Sequence, residues 1–220
     1  MLTYFQDILS AETAALFCQR LLASTAWHDG GRTAAGHARQ VKHNLQLPES
    51  DPAAGDLLHQ VRQALASHPI FTSAARPRQL VRLLVSRYEP GMAYGRHIDA
   101  ALIEGQRTDL SFTLFLSPPD SYGGGSLNID LGGSEDSVKL PAGHLVLYPT
   151  RYLHEVAPVT SGTRLAVVGW VRSRIRHESQ RDLLFDLDQA LRDLKAGDTA
   201  GASLRLRCVQ ANLLREWLDD

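Results

Sequence analysis

Cysteine is nearly absent from this chain: there are two in 220 residues, Cys18 and Cys208, at opposite ends. That excludes a disulfide scaffold and argues against a structural zinc site, which draws on clustered thiolates. Both fall in apolar helical patterns and read as buried free thiols. Long hydrophobic runs are missing too. Nothing approaches the roughly 18 apolar residues of a membrane span, and the N-terminus lacks a basic segment followed by an apolar run. No membrane partner and no leader are expected, and the cytoplasm is the default location. An excess of either charge is also lacking. Lys and Arg total 23 against 24 Asp and Glu, a net charge of −1, which offers no electrostatic footprint for nucleic acid. What remains is an ordinary apolar fraction of 44% in a chain long enough to bury one full core. Repeats and low-complexity tracts are absent.

The chain changes character twice. Ser10 is placed to cap a first helix, with Glu12 in its first turn and an apolar face of Ala14, Phe17, Cys18, Leu21 and Leu22 that runs on to Asp29-Gly30-Gly31. Residues 36–47 carry loop and extended signals without a helical period. Leu57, Leu58, Val61 and Leu65 mark a second helix, stopped by Pro69. Short strand-like runs then follow at 79–88, 110–116, 126–130, 137–140, 144–148, 153–156 and 164–171, separated by Gly- and Pro-rich turns. Close, regular spacing of that kind predicts a sandwich or barrel rather than βαβ units. The helical period returns with Leu183, Leu184, Leu187, Leu191 and Leu194, a stop at Gly197, and a last helix capped by Ser203 and carrying Leu206, Val209, Leu213 and Trp217. The expected class is mainly β with flanking helices: a double-stranded β-helix (jelly roll) at 78–176, a helical and extended support at 1–77, and a C-terminal helical extension at 177–220. The helical pair packs on the barrel or shares in a homodimer interface.

One constellation in the β-rich part carries chemistry. His97 and Asp99 alternate along one extended segment, so both side chains point the same way. His154 follows on a distant strand, and Arg164 stands ten residues further on. Two imidazoles and a carboxylate form the facial triad that suits Fe(II) and leaves positions open for a co-substrate and O2. A buried arginine needs an anionic partner. No acidic neighbour supplies one, so the carboxylate of a ligand does, and the planar guanidinium matches it. The other seven histidines lack such companions and read as surface or capping residues.

These residues lie in stretches that resemble prolyl-4-hydroxylase-type Fe(II)/2-oxoglutarate dioxygenases. The stretches are RYEPGMAYGRHID at 87–99, RTDLSFTLFLS at 107–117, Gly124-Gly125 with Leu127, KLPAG at 139–143 and HEVAPVTSGTR at 154–164. With VKHN at 41–44 and RDLLFDLD at 181–188, the chain is most similar to the bacterial PKHD-type hydroxylases, a group linked to iron uptake. The resemblance implies that His97, Asp99 and His154 ligate iron. Arg164 would hold the far carboxylate of 2-oxoglutarate. Tyr88 would add a hydroxyl to that carboxylate or pack as a core tyrosine, and Arg107 would contact substrate or form a surface salt bridge. It further implies oxidative decarboxylation of 2-oxoglutarate to succinate and CO2 coupled to C–H hydroxylation, with L-ascorbate keeping the iron reduced. The prime substrate is a small molecule or a peptide that the sequence does not identify. A non-catalytic jelly-roll protein that binds or senses iron or a small ligand is the alternative. Ser126 and His144 depart from the family's usual glutamate and aspartate. Loops at 100–107 and 122–125 are expected to flank the open face.

Overall fold

The computed structural model describes residues 2–194 and 200–218. Gly197, the expected helix stop, lies outside the described residues. Two antiparallel sheets form the body. The larger has seven strands, in the order Thr3–Phe5, Leu145–Pro149, Leu110–Phe115, Arg164–Ser173, Pro77–Tyr88, Leu45–Leu47 and His28–Asp29. The smaller has five: Glu135–Val138, Leu127–Asp130, His154–Val156, Ala93–His97 and Lys42–His43. The two faces enclose a jelly-roll interior.

Strand periodicity divides the core in two. Successive side chains on a strand point to opposite faces. Leu110, Phe112 and Leu114, with Leu145, Leu147, Leu165 and Val167, turn outward from the large sheet. There they meet Phe17, Leu21, Leu57, Leu58, Val61, Leu65 and Phe71 from the N-terminal helices. Phe115, Val146 and Tyr148 turn inward against Leu127, Ile129 and Val156 of the small sheet. Central strands covered on both faces read as continuous apolar runs, which is why their sequence signal was strong.

The helices show where local chemistry decides. The Ser10 hydroxyl accepts from the Thr13 backbone N–H at 3.1 Å and starts the Ala11–Leu22 helix. That helix ends at Leu22, well before the glycines at 30 and 31, because the chain turns there to let Trp27 donate to the Leu21 carbonyl at 3.2 Å. Asp51 caps the Pro52–Ser67 helix by accepting from Ala53 and Ala54. Pro69 does more than stop it. It opens a further helix, Pro69–Ala75, as a first-turn proline capped by the His68 ring.

Several expectations need correcting. Residues 36–47 contain a short helix, Gly36–Gln40, and two short strands. The supposed support region also supplies edge strands to both sheets. Ser161-Gly162 is not a bare turn: Val159–Gly162 is a strand that pairs with Tyr122–Gly124. The last helix begins at Ala200, so Ser203 lies within it rather than capping it. Cys208 is exposed and Cys18 half-buried, and both are free. The C-terminal pair attaches chiefly to the Pro69–Ala75 helix. There Asp188 accepts from Arg76 at 2.7 Å and from Ser73 and Gln210, while Phe185 reaches the outer core.

Candidate active site

The small sheet places the two imidazoles. His97 ends its strand and stands directly opposite His154 in the neighbouring one, with ring centroids 4.3 Å apart. Asp99 lies just beyond the strand end, in extended chain. The three ligand atoms fall within 4.8 Å of one another and could hold a metal ion. His97 Nε2 is 3.6 Å from Asp99 Oδ1, and His154 Nε2 is 3.7 Å from Oδ2.

Each of these side chains is itself held. The Nδ1 of His97 sits 2.8 Å from the Gly95 carbonyl, and that of His154 sits 2.9 Å from the Tyr152 carbonyl. A carbonyl can only accept, so both rings carry a proton on Nδ1 and turn Nε2 inward, the nitrogen that a metal would take. Asp99 Oδ2 accepts from the Ser111 hydroxyl and the Trp170 indole, both at 2.8 Å. Burial pushes the Asp99 carboxyl up. The His97 and His154 imidazoles and Ser111 outweigh that and bring it down to about 2. Burial lowers His154, with Asp99 offsetting part of the effect. At neutral pH the cluster therefore presents a carboxylate and a neutral imidazole at His154, the forms that bind metal.

Arg164 comes from the opposite sheet, not from the strand next to His154. It faces Tyr88 across the Arg164–Ser173 and Pro77–Tyr88 strands. Its side chain is 1% exposed, lies over the Tyr88 and Phe115 rings at 5.2 and 5.3 Å, and lines the same cavity as the triad. None of its three nitrogens has a hydrogen-bond partner among the described residues. Tyr122 lies close enough to feel the charge, yet its hydroxyl is also unsatisfied. The approach is kept open by Gly125. At φ +63°, a Cβ there would come within 3.1 Å of both Arg164 and the Tyr122 ring. Burial, against the pull of Arg164, raises the Tyr88 phenol to about 12, so it stays a protonated donor.

The cavity measures about 370 Å³. The 100–107 loop flanks it as a tight hairpin, Leu102–Ile103 with Gln106–Arg107, turning through Glu104 and Gly105 at positive φ. Residues 122–124 instead form a strand that brings Tyr122 beside Arg164. Arg107 is not brought to the cavity walls. Its guanidinium donates to Asp109 at 2.8 Å and to the Ser173 carbonyl at 3.1 Å. Of the two departures from family pattern, Ser126 donates to Asn128 at 3.0 Å and His144 stands 3.6 Å from Asp7. Sequence reasoning missed Ser111, Trp170, Tyr94 and Lys42. Trp170 was within reach, since it shares parity with Arg164 on one strand.

A donor set of two imidazoles and a carboxylate beside an orphaned guanidinium fits a metal with a dicarboxylate co-substrate. Residues 83–172 match the 2OG-Fe(II) oxygenase superfamily, and residues 178–219 match the C-terminal domain of PKHD-type hydroxylases. A PKHD-type hydroxylase from Maricaulis maris is 50% identical over the whole of both chains. The chain belongs to the PKHD-type hydroxylases. It is an Fe(II)- and 2-oxoglutarate-dependent dioxygenase whose prime substrate is unidentified. The family's fold is seen in a solved prolyl-4-hydroxylase from Pseudomonas putida, with TM-score 0.55 and 22% identity over 79% of this chain and 92% of that one. A prolyl hydroxylase from Trichoplax adhaerens aligns with TM-score 0.59 and 18% identity over 83% and 86%. No helix among the described residues is long and apolar enough to cross a membrane.

Proposed function

We propose that His97, Asp99 and His154 hold Fe(II), and that Arg164 holds the far carboxylate of 2-oxoglutarate with help from the Tyr88 hydroxyl. The observation that carries this reading is the bare Arg164 guanidinium, buried in the cavity that the triad lines. A buried cation without a partner is costly, and a dicarboxylate repays that cost with paired, charge-assisted hydrogen bonds. When bound, the iron would activate O2 as the oxidant while 2-oxoglutarate is oxidised to succinate and CO2, one oxygen atom entering succinate and the other the substrate C–H bond. The protein's own work is placement. Gly95 and Tyr152 fix the imidazole faces. Ser111 and Trp170 fix the carboxylate. Tyr88, Phe115 and Tyr148 keep water from the inner end. Ascorbate as reductant, a homodimer and a cytoplasmic location complete the proposal.

The test is an anaerobic titration of the apo-protein with Fe(II) and 2-oxoglutarate, following the visible charge-transfer band. A band that needs both additions and disappears in His154→Ala is expected. Iron binding no tighter to wild type than to that variant would overturn the assignment and put the non-catalytic binding protein first.

Trp170→Phe tests the placement of Asp99. It keeps an aromatic ring, though a smaller one, and withdraws one of the two donors to Oδ2. Loss of an outer partner of this kind weakens metal affinity about 10- to 100-fold. Fe(II) affinity unchanged in W170F would show that the indole does not orient the carboxylate.

A further inference from the structure

Three basic side chains line the cavity, and their situations differ. Arg82 is paired with Glu104 at 2.6 Å. Arg164 is accounted for by the co-substrate. Lys42 has no acidic group within salt-bridge distance among the described residues. It sits on the two-residue strand Lys42–His43, directly opposite Tyr94. Its ammonium lies 5.0 Å from the Tyr94 ring centroid. That ring is stacked on His97, with centroids 3.5 Å apart and planes 14° from parallel. One ammonium proton goes to Thr33 Oγ1 at 3.0 Å, whose own proton is directed to the Gly30 carbonyl or to Gln46. The ammonium has three protons to give, and no other hydrogen bond from it is formed among the described residues. Burial pushes Lys42 down to about 8, with Asp99 and Asp29 offsetting part of that. An anion beside it would restore the full charge.

The cavity that Lys42 enters is also lined by the aliphatic side chains of Ala34, Ala38, Ile98 and Leu102. Ile98 is 55% exposed and Leu102 is 63% exposed, so apolar surface stands open to solvent in a cavity whose lysine has no acidic partner among the described residues. A lone cation with apolar flanks recognises a molecule with one anionic end and a hydrocarbon body.

We propose that Lys42 is a substrate-binding residue that anchors the carboxylate of a small aliphatic acid, whose chain lies along Ala34, Ala38, Ile98 and Leu102. This rests on the iron and 2-oxoglutarate assignment above and names the substrate class for that same centre. The cavity is small for a pocket, near the lower end of the roughly 300–1,000 Å³ range. It must admit the co-substrate as well, which favours a short acid.

The experiment uses the anaerobic Fe(II)·2-oxoglutarate complex of the full chain, with pentanoate as probe and pentanamide as its uncharged counterpart. The readout is the perturbation of the visible band on adding either compound. Wild type is expected to respond to pentanoate at far lower concentration than to the amide. Lys42→Met should weaken pentanoate about 10- to 100-fold, the worth of a charged hydrogen bond. Lys42→Arg should restore most of that, and 2-oxoglutarate affinity should not change in either variant. Equal affinity for acid and amide, or undiminished pentanoate binding in K42M, would overturn the proposal. So would a parallel loss of 2-oxoglutarate in K42M, which would make Lys42 a co-substrate residue. A wild-type complex with a band that pentanoate leaves untouched sinks this inference alone. A protein that forms no band at all sinks the assignment of the centre, and this inference falls with it.

Discussion

Replacing Arg164 by methionine is expected to raise the melting temperature of the apo-protein while removing most of its response to 2-oxoglutarate. The native side chain is buried with all three nitrogens unbonded. Its compensation in the free protein is the contact with the Tyr88 and Phe115 rings, worth about 0.5–2 kcal/mol. Methionine keeps most of the stem volume and fits the space that Gly125 keeps open. It also removes the desolvated charge. A net gain of about 1–2 kcal/mol follows by analogy with buried ionic groups replaced by apolar ones, or about 3–6 °C for a chain of this size. Ligand binding should move the other way. Truncating one member of a buried charged pair costs about 2–5 kcal/mol, so 2-oxoglutarate affinity should fall at least about thirtyfold. Wild type at a hundredfold excess over Kd gains about 2.7 kcal/mol from ligand, and the variant at the same concentration should gain less than about 1 kcal/mol. Anaerobic thermal melts with Fe(II), with and without 2-oxoglutarate, measure both. A variant that melts lower than wild type yet is still stabilised by 2-oxoglutarate would contradict the reading at both ends.

The same arginine shows what was legible in the sequence. Its spacing from His154 and its lack of an acidic neighbour marked it as special. What spacing could not give was the sheet it belongs to, because the Val159–Gly162 strand intervenes and carries the chain across the barrel. His97 and Asp99 were legible as an alternating pair, yet nothing local revealed that His154 stands opposite His97 in register. The central strands announced themselves because both faces are buried. Lys42 did not, because its strand is two residues long and joins the sheet only through tertiary pairing. The helix starts at Ser10 and Pro52 follow side-chain capping and were readable in kind. The end at Leu22 follows a tryptophan that folds back on the helix, which no cap residue advertises. For Arg107 the sequence left two outcomes open, a substrate contact or a salt bridge, and the structure has its guanidinium in a salt bridge to Asp109, two residues on.

Asp99→Asn should be the most damaging near-isosteric change in the centre, and the reason lies in who surrounds it. Oδ2 receives two protons, from Ser111 and from Trp170. The indole can only donate. An asparagine must therefore present its single oxygen to Trp170 and turn its NH2 group to the place now held by Oδ1. Among the described residues Oδ1 accepts no hydrogen bond, and it lies 3.6 Å from His97 Nε2, so it is the atom with a lone pair to spare for a metal. The substitution thus puts a donor where the site needs an acceptor and removes the negative charge in the same step. Fe(II) affinity should fall by more than the roughly 100-fold upper limit of an outer-partner loss, and 2-oxoglutarate turnover should drop to the rate of metal-free protein. Trp170→Phe should lie between this variant and wild type. The apo fold should change little, since Trp170 and Ser111 keep an acceptor. Anaerobic Fe(II) titration with a thermal melt of the apo-protein separates the two effects. D99N binding iron within tenfold of wild type, at normal stability, would mean that Asp99 supplies no ligand atom and that the metal, if bound, is held elsewhere.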